Sequence, residues 1–190
     1  MKKIIVLIVI SALGFSLNAQ SRKERKAEKK AQLETKYQEL KGLIDSKQFM
    51  FEANWAIPLG NDVSNIGLNI PGGGAVFQGG RVDISNNSNF LKLNGASADL
   101  FLPFFGRVFV PDITSSSRGI QFKGEIQDYT VDYNKKKKRA IVKFNAKNYG
   151  DFLKFILNIS ASGKTTVSVN STKRQSITYD GFLAPLHDQK

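Results

Sequence analysis

Cysteine is absent from the 190 residues, histidine and tryptophan occur once each, and prolines number only five. Without cysteine there are no disulfides, thiol nucleophiles, thiolate zinc sites or iron–sulfur clusters. With His187 alone and close to the end of the chain, histidine-centred triads and poly-histidine metal sites are not expected. Negative charge is scarce: 16 acidic residues stand against 28 lysines and arginines, a formal charge of +12. No apolar run reaches the roughly 20 residues that span a bilayer as a helix, and no fixed-period repeat marks a solenoid or propeller. What is present is a composition that is 41% hydrophobic and includes 14 phenylalanines. A chain of this size buries about 70% of its unfolded surface, so it is read as a globular domain.

Met1 to Ala19 begins with Lys2 and Lys3, continues as an apolar run from Ile4 to Leu13, and ends at a small residue. That is the pattern of a secretory signal peptide, with cleavage expected after Ala19. No cysteine follows to accept a lipid, so the mature product is expected to be exported, periplasmic or extracellular, without an N-terminal lipid or a transmembrane span. The expected organisation is a signal peptide at 1–19, a basic helix at 20–47 and a β domain at 48–190.

The positive charge is concentrated. Ser21 to Lys47 holds nine basic and five acidic residues, and Lys135 to Arg139 is an unbroken run of five. No aromatic residue interrupts that run to stack a base, so nucleic acid is not the expected partner. The run is expected at a solvated hairpin tip. The functional alternative is contact with an anionic surface through Lys23, Lys26, Lys30, Lys135, Lys136 and Lys137.

Ser21-Arg22-Lys23-Glu24 has the spacing of a capping box, which places a helix start there. Leu33, Tyr37, Leu40 and Ile44 recur at helical spacing and are expected to pack on the body, whereas Arg22 to Lys30 is polar all round. Gly42 is a place where the helix weakens or ends. From Phe49 the period becomes 2: Phe49, Phe51, Ala53, Trp55 and Ile57 form one face of a strand that stops at Pro58. Similar alternation continues through the runs around Leu91, Leu100, Phe122, Val131, Val142, Phe155, Val167 and Tyr179. Tight turns rich in Gly, Asn, Ser and Lys join them, with no helical crossover, so the pairing is antiparallel and the last five runs form a meander. Gly60 to Asn89 is expected to be loop-rich, with one or two short strands.

Several catalytic patterns fail on inspection. Ser162-Gly163-Lys164-Thr165 resembles the end of a phosphate-binding loop, but Asn158 stands where its first glycine belongs and a strand follows. Pro71 to Gly74 with Gly79-Gly80 lacks the third glycine of a dinucleotide fingerprint, Phe77 taking its place. Glu125, Asp128 and Asp132 are the nearest candidates for hydrolytic carboxylates, yet Asp128 and Asp132 alternate with Tyr129, Val131 and Tyr133 and are expected to face water. No catalytic residue, metal ligand or cofactor is assigned. The most unusual segment, Phe101 to Phe109, has four phenylalanines in nine residues together with Pro103, Gly106 and Arg107. Its plain reading is a strand that bends over the core. Its functional reading is an aromatic lip in which Phe104 and Phe105 border a ligand, Arg107 holds an anionic group, and Tyr129 and Tyr179 line the same site.

The segments Phe51-Glu52-Ala53, Leu102-Pro103-Phe104-Phe105-Gly106-Arg107, Gly119-Ile120-Gln121-Phe122, Asp128-Tyr129 and Arg174 to Gly181 resemble the DUF4251 family. This is a domain of unknown function in exported proteins of Bacteroidetes. Phe104 stands where that family commonly has tyrosine, which removes a hydroxyl. The resemblance implies an exported β-rich domain and supplies no activity.

The fold expected is an antiparallel β-sandwich or partly open barrel of about eight strands with an N-terminal α-helix. The function expected is a non-enzymatic envelope module that binds a small apolar or amphipathic ligand or an envelope protein. The alternatives are an electrostatic adaptor docked on an anionic surface or acidic partner and, last, a carboxylate hydrolase.

Overall fold

The computed structural model describes residues 2–60, 77–110, 119–148 and 150–186. Helix α1 (Lys2–Ser46) precedes eleven strands: β1 (Gln48–Pro58), β2 (Phe77–Gln78), β3 (Arg81–Asp83), β4 (Phe90–Asn94), β5 (Ser97–Pro103), β6 (Gly119–Glu125), β7 (Gln127–Asn134), β8 (Arg139–Asn148), β9 (Asp151–Ser160), β10 (Lys164–Ser171) and β11 (Ile177–Pro185). Nine of them make one antiparallel path, β6-β5-β4-β1-β11-β10-β9-β8-β7, while β3 pairs the far half of β1 and β2 pairs β3. The ends of the path are consecutive in the chain, since β6 passes into β7 through Ile126 alone. Across that gap Asn148 Nδ2 of β8 donates to the Gln121 carbonyl of β6 at 2.8 Å. The sheet is rolled into a nearly closed barrel. The run around Leu91 is strand β4, as its alternation indicates, and the count rises above about eight partly through the short β2–β3 hairpin in the loop-rich stretch before Asn89.

Among the described residues the interior is filled. Alternate residues of every long strand point inward, and Phe49, Phe51, Phe144, Phe155, Leu157 and Tyr179 are all at most 1% exposed. The Phe144 and Phe155 rings stack with centroids 4.8 Å apart. Burying one such side chain stabilises the fold by about 1.5–3 kcal/mol. The five-strand meander β7 to β11 is as expected, and its turns use the residues that turns require: Gly163 sits at φ +81° between β9 and β10. The phosphate-loop look-alike is therefore a hairpin turn, followed by a strand and no helix.

Strand β1 departs from simple alternation. Its register with β11 shifts between Ala53 and Trp55, a β-bulge. Phe49, Phe51 and Ala53 point inward, but beyond the bulge Ala56 and Pro58 do so, leaving Trp55 and Ile57 half-exposed on the other face. The inward placement expected for Trp55 and Ile57 is corrected accordingly. Two residues hold the bulge. Gly181 lies opposite Ala53, and a Cβ there would sit 1.9 Å from the Glu52 carbonyl oxygen. Asn89 fills the break between β4 and β3: its side-chain oxygen accepts from Ala53 N at 2.7 Å and its Nδ2 donates to Ala53 O at 3.0 Å. A side-chain amide thus replaces a missing strand partner.

Helix α1 runs unbroken from Lys2, so the Ser21–Glu24 spacing does not mark its start. The preceding residues contain no proline, and helices propagate cheaply once nucleated. Gly42 does not end it either; the glycine costs about 1 kcal/mol, offset by Ile44, which is fully buried one half-turn later. Tyr37, Leu40 and Ile44 are buried as expected, while Leu33 remains 44% exposed. Lys47, in the left-handed region at φ 53°, turns the chain directly into β1. The helix covers the inward face of β7, where the Tyr129 hydroxyl donates to the Ile44 carbonyl at 3.3 Å and the Tyr133 hydroxyl donates to Asp45.

Candidate functional site

The aromatic segment after β5 is strapped down. Phe104 and Phe105 are partly buried and pack against the core. The Arg174 guanidinium lies 5.6 Å from the Phe104 ring centroid and donates to the Gly119 carbonyl at 2.6 Å. Arg107 is exposed; its backbone N–H donates to Gln175 Oε1 at 3.2 Å and its carbonyl accepts from Gln175 N at 2.9 Å. Tyr179 is fully buried in β11, its hydroxyl donating to the Pro103 carbonyl at 2.8 Å. Burial pushes the Tyr179 phenol far above its ordinary range. The five aromatic-site residues thus divide: Phe104, Phe105, Arg107 and Tyr179 gather around Pro103 and the β10–β11 connection, whereas Tyr129 belongs to the helix contact. Arg174, which the sequence reading did not single out, is the arginine set on an aromatic face.

The two basic segments are joined by one contact. Lys23, Lys26 and Lys30 share one exposed helix face, and residues 135–138 form the β7–β8 turn with Lys135, Lys136 and Lys137 exposed. Lys138 ties the two: its ammonium pairs with Glu34, one turn beyond Lys30, and lies 5.0 Å from the Tyr37 ring centroid. The hydrogen bond from Lys138, with a second from Gln38, holds the Glu34 carboxyl below its usual range.

A third place was not anticipated. On the outer face of the sheet, Trp55 sits opposite Asp180 of β11 and Asp83 of β3. The Arg81 guanidinium stacks 5.5 Å from the Trp55 ring centroid. Next along, Phe182 is 55% exposed and lies opposite Glu52 of β1 and Lys164 of β10. Around it open two hollows of about 470 and 410 Å³ that share Asn54, Ser85 and Phe182. The first continues over Glu52, Asn86 and Asn87, the second over Arg81, Asp83, Lys164 and Asp180. Neither is lined by Phe104, Phe105 or Arg107. The bulge at Ala53 is what creates this surface, because it turns Trp55 outward next to Phe182. A bulge leaves no mark in hydrophobic alternation; Gly181 opposite an apolar strand was the one available hint.

Two of the acids here accept hydrogen bonds from neighbouring hydroxyls. Asp83 accepts from Ser85 Oγ at 2.5 Å and Ser85 N at 3.0 Å, and these bonds lower its pKa below the usual range. Asp180 accepts from Thr166 Oγ1 at 2.7 Å. A hydrolytic general acid needs the opposite shift. Asp128 and Asp132, weighed from the sequence, are exposed on β7, Asp128 accepting from Asn145 at 2.8 Å. Among the described residues no cluster of His, Cys, Asp or Glu could hold a metal, and no helix is long and apolar enough to cross a membrane. His187 and Pro71 to Gly74 lie outside the described residues.

A family model for DUF4251, a domain of unknown function, matches residues 31–183. The chain belongs to the DUF4251 family. The match takes in all the β-strand landmarks above except the end of β11, and excludes Lys23, Lys26 and Lys30. A crystal structure of a DUF4251 family protein from Bacteroides eggerthii DSM 20697 superposes with a TM-score of 0.55 at 18% identity, covering 80% of this chain and 88% of that one. At that identity the likeness speaks for the DUF4251 fold alone. No curated protein matches the chain.

Proposed function

We propose that this DUF4251 protein is an exported, non-enzymatic module of the cell envelope that binds an amphipathic ligand, or a patch of another envelope protein, in the outer groove around Phe182. The observation that carries the reading is the contrast between a barrel interior filled by buried aromatic and aliphatic side chains and the two joined hollows on its outside. A filled interior leaves no room for an enclosed apolar ligand. An exposed phenylalanine inside a polar groove is the arrangement of a recognition surface. The leader at Met1 to Ala19 supports export, and the hydroxyl-bound carboxylates support binding over acid–base chemistry. The test is expression with the native leader, followed by N-terminal sequencing and native mass spectrometry of the envelope fraction. The expected result is a processed chain beginning near Gln20 that carries a retained ligand or partner. A cytosolic, unprocessed protein would end the export reading.

A second reading is favoured by one specific contact. The Lys138–Glu34 pair sets the lysine turn beside the basic helix face, so Lys23, Lys26, Lys30 and Lys135 to Lys137 form one positive surface suited to an anionic envelope surface. Deletion of residues 21–30 then lowers retention on vesicles containing anionic phospholipid, and added salt lowers it further. Unchanged retention rejects this reading.

A further inference from the structure

We propose that the groove around Phe182 binds a neutral oligosaccharide; this rests on the binding-module reading and names its ligand class. The groove is apolar at its centre and polar at its edges. Phe182 forms a wall common to both hollows, with the Trp55 ring beside Asp180 in the second. Around them stand the amides of Asn54, Asn86 and Asn87 and the charged ends of Glu52, Arg81, Asp83, Lys164 and Asp180. The occupant that satisfies this pattern has a flat C–H face for the exposed Phe182 ring and a periphery of hydroxyls for the amides and carboxylates. A pyranose ring has both. A hydrocarbon chain would strip water from the rim without returning hydrogen bonds, at about 1–3 kcal/mol for each polar group left unpaired. A polyanion would meet three carboxylates against two cations. A polycation would meet Arg81 and Lys164 at the end next to Trp55, where a neutral ligand encounters neither penalty.

The length of the groove points to an oligomer. Each hollow falls within the range of about 300–1,000 Å³ usual for small-ligand sites, and because Asn54, Ser85 and Phe182 belong to both, one chain of sugar units passes from one to the other over Phe182. The rim is also already in position. Ser85 holds Asp83, Thr166 holds Asp180, and Arg81 is stacked on Trp55. These contacts fix acceptors and donors before a ligand arrives and reduce the ordering cost of binding.

The mature protein is tested against neutral hexose and N-acetylhexosamine oligosaccharides of two to six units, with polyuronate fragments as the charged comparison, by calorimetry and affinity electrophoresis. A neutral oligosaccharide binds, and longer members bind tighter than the dimer. Phe182→Ala and the rim variant Asn87→Ala each weaken binding at least fivefold with unchanged thermal unfolding, while Phe109→Ala, exposed away from the groove, leaves it unaltered. Preference for polyuronates, or neutral-sugar binding insensitive to both groove variants, overturns the proposal. If no sugar binds but native mass spectrometry shows a retained ligand that Phe182→Ala releases, the saccharide assignment falls and the binding-module reading stands. If neither sugar nor any retained ligand is found, both fall.

Discussion

Two residues fix the bulge that gives β1 its outward Trp55, and each makes a distinct prediction. Gly181→Ala places a methyl group against the Glu52 carbonyl, 1.9 Å from its oxygen, where the nearest atoms are all backbone of Glu52 and Ala53 with no flexible side chain to yield. The expected cost is about 3 kcal/mol or more, at the upper end for overpacking, read as a lower denaturant midpoint in urea; a loss under about 1 kcal/mol would show that β1 and β11 separate easily. Asn89→Ala removes the amide that pairs both backbone groups of Ala53 and also donates to Ile84 O at 3.1 Å and Asn87 O at 3.0 Å. Buried donors and acceptors left unpaired cost about 1–3 kcal/mol each, so this truncation destabilises far more than Asn86→Ala on the exposed side of the same loop. Equal midpoints for the two variants would contradict the role given to Asn89.

At the scale of the element, α1 has two unlike halves. Arg22 to Lys30 is exposed on every side, whereas Leu40 and Ile44 enter the barrel core. Removing residues 21–30 therefore leaves the thermal midpoint almost unmoved, while Ile44→Ala costs about 2–4 kcal/mol as a large-to-small change at a filled site. Thermal melts of the two variants side by side check this, and a large loss from the truncation would refute the division. This division was legible in the sequence, because Tyr37, Leu40 and Ile44 recur at helical spacing and Arg22 to Lys30 does not. So were the meander β7 to β11 and the lysine hairpin tip, where period-2 runs meet turn residues. The groove was not. It depends on a one-residue register shift in β1 and on β3 arriving beside Trp55 from a loop-rich stretch, and pairing between distant strands leaves no periodic trace. Tyr129 and Tyr179 are expected to line one site with Phe104, Phe105 and Arg107, but the Tyr129 hydroxyl meets the helix at the Ile44 carbonyl whereas that of Tyr179 meets Pro103.

For the whole molecule, the inward-facing tyrosines tie stability to alkaline pH. Tyr129 is pushed up to about 12, first by burial and then by the Asp45 charge. Burial, reinforced by the hydrogen bond to Asp45, raises Tyr133 also, and burial raises Tyr179. In the unfolded chain these phenols ionise near their ordinary value of about 10. Above that pH the unfolded state loses protons that the folded state retains, so stability falls as pH rises. It is fully present below pH 10 and is lost on the way to 12 and beyond. Absorbance of tyrosinate followed together with circular dichroism is expected to show these groups ionising only as the barrel unfolds. Smooth ionisation of Tyr129, Tyr133 and Tyr179 near pH 10 with the fold intact would contradict the burial described.

The continuity of β6 into β7 through Ile126 gives this rolled sheet a seam whose two lips belong to one uninterrupted stretch of backbone. The two lips are tied at Ile126 and again where Asn148 Nδ2 meets the Gln121 carbonyl, so breathing at those points exposes little edge to a neighbouring molecule. Main-chain amides along the seam should exchange with deuterium soonest among the long strands, and those of β1 and β11, deepest in the path, last.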